Sequence, residues 1–350
     1  MTRTLGMGAA TEGRELGSWG DGDGPTLLAI GGIHGNETAG PEAIRRVLGR
    51  LQEQGLGLQG QLVGLVGNLQ ALSKGVRFVD RDLNRQWMST SVEALAHRDR
   101  AGDEDEDREQ RELIDCFEEI TEAKGPLVVV DLHSSSAQGP PFICLADTVD
   151  NRRIAMVSGL PLILGIEEAI DGSLLEYWSQ RGVVNFAVEG GRHADPETVD
   201  SHEAVLWLLL DHLGMLPPGG LDLTAHRAHI AAVTQGEPEV VEIFEQRRIT
   251  PEDRFQMMPG FRNFQSVEKG EHLATDRNGP ILADRACRVM LPLYQEQGED
   301  GYFLARDVRP FWMAVASLLR GLRLDAIAHW FPGVRRSASD NNTILVNSRV

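Results

Sequence analysis

The first half of the chain alternates short apolar runs with stretches whose apolar residues recur at helical spacing. Thr26-Leu27-Leu28-Ala29-Ile30 ends at Gly31-Gly32 and reads as a buried strand. From Pro41 to Leu51, the residues Ala43, Ile44, Val47, Leu48 and Leu51 share one helical face, and Pro41 suits the first turn. Gln61 to Val66 predicts a second strand. Glu109 to Lys124 predicts a helix with Leu113, Ile114, Phe117 and Ile120 on one face. Leu127 to Val130 is a continuous apolar strand running into Asp131, and Phe142 to Leu145 and Val183 to Val188 are further strand candidates. His202 to Leu213 predicts a strongly apolar helix. Strands alternating with helices predict an α/β fold, a parallel or mixed sheet flanked by helices.

After Leu216-Pro217-Pro218-Gly219-Gly220, a linker candidate, the pattern changes. Glu239 to Phe244 is strand-like, and short segments then alternate with turns at Pro259-Gly260, Lys269-Gly270, Asn278-Gly279 and Asp300-Gly301. The expected division is therefore a catalytic domain over 1–216 and a smaller β-rich C-terminal domain over 221–350 that caps the site. Arg335 to Asn342 is polar and is expected to be loosely ordered.

Composition narrows the function classes. The 350 residues are 41% hydrophobic and 25% charged, an ordinary globular balance. No apolar run approaches the roughly 20 residues of a membrane span, and Met1 to Arg14 lacks the apolar segment of a secretory signal. Cys116, Cys144 and Cys287 are scattered, which argues against a disulfide framework or thiolate zinc site and fits a reducing cytoplasm. The net charge of −18 excludes neither pocket chemistry nor small ligands, but it speaks against nucleic acid and anionic membrane as partners. Surface carboxylates in such excess also suit a high-salt cytoplasm, where screening relieves their repulsion. The acidic run within Arg98 to Arg111 reads as a solvated loop or helix face.

Polar residues that carry chemistry fall at the ends of predicted strands, where ligand sites of α/β sheets lie. His34-Gly35-Asn36-Glu37 places a histidine and a glutamate three apart, and a turn there lets both face one point. Asp131-Leu132-His133 supplies a second histidine from another strand. Two histidines and a carboxylate are a common ligand set for catalytic zinc, with a position left for water or substrate, though other divalent metals suit it too. Asp131 shares a strand face with His133 and is a candidate partner for a ligand histidine. Arg77 and Asp80-Arg81-Asp82-Leu83-Asn84-Arg85 read either as a solvated ion-pair loop or as guanidinium groups that recognise a carboxylate. Glu189 before Gly190-Gly191 is either a base beside a metal or a carboxylate paired with Arg192.

Taken in order, Gly32-Ile33-His34-Gly35-Asn36-Glu37, Arg77 with Asp82-Leu83-Asn84-Arg85, Asp131-Leu132-His133 and Ala187-Val188-Glu189-Gly190-Gly191 resemble the succinylglutamate desuccinylase/aspartoacylase family, relatives of the zinc carboxypeptidases. The resemblance spans roughly residues 24 to 310. It implies a carboxypeptidase-like α/β domain followed by a β-rich domain, and one Zn2+ per chain held by His34, Glu37 and His133. It implies that Arg77 polarises the scissile carbonyl, that Asn84, Arg85 and Tyr302 contact substrate, and that Glu189 is the general base for attack by metal-activated water. The expected reaction is cleavage of a small N-acyl amino acid or related carboxylate-bearing amide. A carboxypeptidase acting on short peptides, an esterase and a non-catalytic binder on the same scaffold are the alternatives. Aspartoacylases carry a further arginine before the catalytic glutamate. Arg181 lies near that place at a different spacing, which leaves substrate identity and a homo-oligomeric state open.

Overall fold

The computed structural model describes residues 13–122, 125–193 and 195–308, and the paired strands Val334–Arg336 and Ile344–Val346. Lys124, most of the N-terminal segment through Arg14, and most of Arg335 to Asn342 lie outside the described residues.

The chain begins β1 (Glu15–Gly20), β2 (Thr26–Gly31), α1 (Ala39–Gln54), β3 (Gln61–Val66), α2 (Leu69–Lys74), α3 (Ser89–His97) and α4 (Asp105–Thr121). It continues with β4 (Leu127–Ser135), β5 (Phe142–Cys144), α5 (Val149–Ala155), β6 (Leu162–Leu164), α6 (Leu174–Ser179), β7 (Val184–Arg192), α7 (Pro196–His212) and α8 (Thr224–Val233). After α8 the described residues up to 308 carry β8 (Val240–Arg248), β9 (Gln256–Met257), β10 (Gln265–Val267), β11 (His272–Asp276), β12 (Gly279–Leu282), β13 (Cys287–Met290) and β14 (Asp300–Asp307).

The alternation of side chains along β2 shows why a sheet with two covered faces forms. Every residue of β2 is buried. Leu27 and Ala29 join Ile44 and Val47 of α1 and Leu206 and Leu209 of α7 on one face. Leu28 and Ile30 join Leu113, Phe117 and Ile120 of α4 with Trp87 and Trp178 on the other. Each fully buried Leu or Ile of this kind contributes roughly 1.5–3 kcal/mol of transfer free energy.

A mixed eleven-stranded sheet runs in the order β1-β3-β2-β4-β7-β5-β6-β8-β14-β13-β10. Its centre, β3-β2-β4-β7, is parallel. The linker at 216–220 is indeed a loop between α7 and α8, but the sheet does not stop there, because β6 pairs with β8 in parallel. A smaller three-stranded sheet, β12-β11-β9, covers the core of the C-terminal part. No helix among the described residues is long and apolar enough to cross a membrane.

Several expectations shift. β4 and β7 run past the apolar stretches to Ser135 and Arg192, so His133 and Glu189 lie inside paired strands. Asp300-Gly301 opens β14 and is not a turn. The acidic run is solvated only in part: Glu104 is exposed, whereas Asp103, Glu106, Asp107 and Glu109 are buried. The buried carboxylates are satisfied by backbone N–H groups and arginines. Glu106 accepts from the N–H groups of Val79 (2.7 Å), Asp80 (2.8 Å) and Arg81 (3.3 Å). Glu109 accepts from those of Leu69 and Gln70 and from Arg14, itself fully buried. Asp103 takes Arg111 (2.7 Å), and Asp107 pairs with Arg81 and Arg98.

Candidate metal centre

The residues of the centre arrive on three elements. The turn after β2 closes through the Glu37 N–H donating to the His34 carbonyl (3.1 Å), so both side chains face one side. Gly35 lies tight against α2, where an added Cβ would stand 2.0 Å from the Ala71 carbonyl carbon. Its N–H donates to the Arg77 carbonyl (3.1 Å), which ties this turn to the arginine loop. From the sheet come His133 on β4 and Glu189 on β7, directly opposite each other in register. Gly190 lets α7 approach behind Glu189: a Cβ there would meet the His202 ring at 2.5 Å.

His34, Glu37 and His133 are buried and bring one ligand atom each within 4.8 Å of one another. Nδ1 of His34 lies 2.9 Å from Glu37 Oε1, and Nδ1 of His133 lies 3.1 Å from Glu37 Oε2. Each Nε2 faces a carboxylate behind it, Asp82 at 3.1 Å for His34 and Asp131 at 2.8 Å for His133. An Nε2–H donated to these acids leaves the Nδ1 lone pair of a neutral ring aimed at the shared point beside Glu37. Ser134 steadies the same carboxylate by donating its N–H to Glu37 Oε2 (2.8 Å).

The charges of the cluster are strongly linked. Burial favours neutral Glu37, but His34 and His133 outweigh it and hold its pKa well below the ordinary value. Burial likewise opposes charge on His133, and Asp131 and Glu37 override it to raise that pKa well above normal. Buried carboxylates around two imidazoles, with both Nδ1 atoms turned inward, fit a divalent metal with N/O ligands, of which zinc is one. Glu189 stands apart from this pairing. Burial first, and then the Glu37 charge, push its carboxyl up to about 7, and its Oε2 is buried without a hydrogen-bond partner.

Arg77 is clamped by Asp82, which accepts from its Nε (3.2 Å) and Nη2 (2.9 Å), while its Nη1 lies 3.6 Å from Glu37. Asn84 accepts the Leu174 N–H through its side chain (2.8 Å), and Arg85 reaches Asp300 (2.8 Å). Arg77, Asn84, Arg85 and Glu189 all line a cavity of about 140 Å³ that opens onto the three ligand residues. Tyr302 does not join them. It is 2% exposed within the C-terminal core, against Phe255, and the cavity is lined instead by Phe303. Adjacent residues of a strand point to opposite faces, so both cannot face the cavity. Arg181 also lies outside, stacked 3.5 Å over the Tyr177 ring.

Other residues around the site, of which Gln295 lines the cavity, carry no usable sequence signal. Gln295 accepts from Asn36 (2.8 Å) and lies 3.1 Å from the His193 ring. Gln297 accepts the Arg77 N–H (3.0 Å) and donates to the Phe78 carbonyl (3.1 Å), binding the 291–300 loop over the site. Asp82 sat inside a recognised motif, and its role behind His34 becomes visible only in the fold.

A mixed sheet flanked by helices, with a buried histidine–glutamate–histidine set gathered towards the carboxyl ends of its parallel strands, defines an α/β protein with a metal-competent centre. Residues 23–204 match the family model described as the succinylglutamate desuccinylase/aspartoacylase catalytic domain, and the chain belongs to this deacylase family. It is 23% identical over 285 residues to a probable aspartoacylase of Prochlorococcus marinus (strain MIT 9215), covering 77% of this chain and 87% of the relative. A succinylglutamate desuccinylase of Pseudomonas fluorescens (strain Pf0-1) is 43% identical, over only 78 residues, 21% of this chain and 23% of the relative. Among solved structures, a succinylglutamate desuccinylase/aspartoacylase from Rhodobacter sphaeroides has the same fold, with a TM-score of 0.60 at 19% identity over 83% of this chain and 88% of that one. So does the product-bound ectoine utilization protein EutE (DoeB) from Ruegeria pomeroyi, with a TM-score of 0.58 at 19% identity over 82% and 87%.

Proposed function

We propose that the protein is a zinc-dependent deacylase that hydrolyses the amide bond of a small N-acyl amino acid. The observation that carries this reading is the pairing of Glu189 with His133 across β4 and β7, which sets a half-buried carboxyl, its Oε2 without a hydrogen-bond partner, beside the His34–Glu37–His133 set. A purely metal-binding protein has no need of that carboxyl.

His34, Glu37 and His133 would hold the ion. When bound, zinc supplies Lewis-acid polarisation of the carbonyl and acidifies the attacking water. Glu189 takes a proton from that water and passes it to the leaving amine nitrogen. Arg77, immobilised by Asp82, directs its Nη1 side towards the oxygen on which negative charge develops. Arg85 spends two N–H groups on the Asn84 carbonyl and Asp300, and its guanidinium has others left for a substrate carboxylate. Asn84 fixes the start of α6 beside that position.

The cavity supports a small substrate over a peptide. It is small, about 140 Å³, and residues of the 291–300 loop line one side of it. In this account residues 221–308 serve as a cap on the catalytic half. Glu189→Gln tests the reading: it keeps the side chain's shape and removes the base. The variant is expected to retain metal and fold while kcat for N-acyl amino acids falls by roughly 10²–10⁴-fold. Wild-type turnover in the variant would remove Glu189 from the chemistry.

A further inference from the structure

We propose that the cavity selects N-acyl amino acids with a single carboxylate and an aliphatic second group, and that Glu167 turns dicarboxylic substrates away. The proposal rests on the deacylase reading above and specifies its substrate.

The charge inventory of the cavity is the first argument. Its cationic lining among the described residues is Arg77 and Arg85. Arg77 is held by Asp82 and Arg85 by Asp300, so the free donors of Arg85 suit one carboxylate. A second carboxylate would meet no uncommitted guanidinium or ammonium. It would meet Glu167 and Glu299, which line the same cavity.

The second argument is the wall. Ile166, Ile170, Leu175, Leu291, Leu293 and Phe303 present a hydrocarbon surface continuous with the core beneath β5, β6, β8 and β14. A carboxylate pressed against it loses its water without gaining a hydrogen bond, whereas an alkyl group gains from the same burial. Glu167 sits within this wall. The Ile170 N–H donates to the Ile166 carbonyl (3.0 Å), closing a turn that carries Ile166, Glu167 and Ile170. Burial pushes the Glu167 carboxyl up to about 7; a hydrogen bond with Ser179 opposes this, and the charges of Glu168, Glu176 and Asp147 add to it. Above that pH it adds a fixed negative charge to an otherwise apolar surface. Rejection by like charge is a common source of specificity.

The test compares kcat/KM at pH 8 for N-acetylleucine and N-acetylmethionine against N-acetylaspartate, N-acetylglutamate and N-succinylglutamate. Wild type and Glu167→Gln are both assayed, and binding to zinc-loaded Glu189→Gln is measured by calorimetry. The expected wild-type preference for the aliphatic substrates is at least about tenfold, with the same order in the calorimetric affinities. Glu167→Gln should narrow the ratio several-fold by improving the dicarboxylates. A wild type that prefers dicarboxylates overturns the proposal and leaves the deacylase reading intact. An unchanged ratio in a folded Glu167→Gln overturns the role of Glu167. If that variant does not fold, the wild-type ratio and the calorimetry still decide the substrate class. Neither turnover nor binding of any panel member overturns the deacylase reading itself, and this proposal with it.

Discussion

Asp82 and Asp131 stand behind the two histidines, each within hydrogen-bond distance of an Nε2, and an Nε2–H donated to each acid would leave both Nδ1 lone pairs towards Glu37. Asp131→Asn keeps the shape but removes the charge that favours Nε2–H. Zinc affinity, measured by competition with a chelator, should fall about 10–100-fold with the circular dichroism unchanged. Unchanged affinity would mean that Asp131 only fills space. At this scale much was legible. His34 and Glu37 three apart in a turn, and Asp131 two before His133 on a strand, share faces by simple periodicity. Tyr302 was not, because Asp300-Gly301 reads as a turn whereas it opens β14, and strand alternation then sends Tyr302 into the core and Phe303 to the cavity. The facing of His133 and Glu189 depends on the register of two strands far apart in the sequence, which no local pattern encodes.

Helix α4 carries a consequence for the arginine loop. Its buried acids hold backbone that has no secondary structure of its own: Glu106 takes three successive N–H groups from Val79 to Arg81 and the Asn68 side chain (3.0 Å). Arg77 begins this stretch, so its position depends on that carboxylate. A carboxylate accepts through two oxygens and the amide of Gln through one, so Glu106→Gln should lose part of the set. The expected cost is about 1–3 kcal/mol in urea unfolding, with a lower kcat/KM and full metal content. An unchanged midpoint together with unchanged kcat/KM would show that the loop holds itself. Charge density alone reads this run as solvated, because composition does not reveal that the loop lacks other acceptors. The helices and parallel strands of the first half were legible, since long periodic segments leave little choice, although β4 and β7 run on beyond their apolar residues into the polar ones that matter.

Across the whole molecule, one sheet joins the two halves. The core between them mixes Phe142, Ile163 and Ala187 with Val241, Phe264 and Met290, so the part beyond the 216–220 loop is packed against the catalytic half and not merely tethered to it. The 291–300 loop then closes the cavity through Gln295, Gln297 and Asp300, contacts that span more than 200 residues of sequence. Sequence pattern indicated a β-rich cap, but not that its first strand extends the central sheet, since pairing partners so distant leave no local trace. Central to the account is a divalent ion held by His34, Glu37 and His133. Metal stoichiometry is therefore the most direct measurement. Purified protein equilibrated with zinc and then dialysed should retain one zinc per chain by elemental analysis, and folded His133→Ala should retain little or none. A folded wild type that binds no divalent metal would contradict the account, returning His34, Glu37 and His133 to a structural hydrogen-bond network.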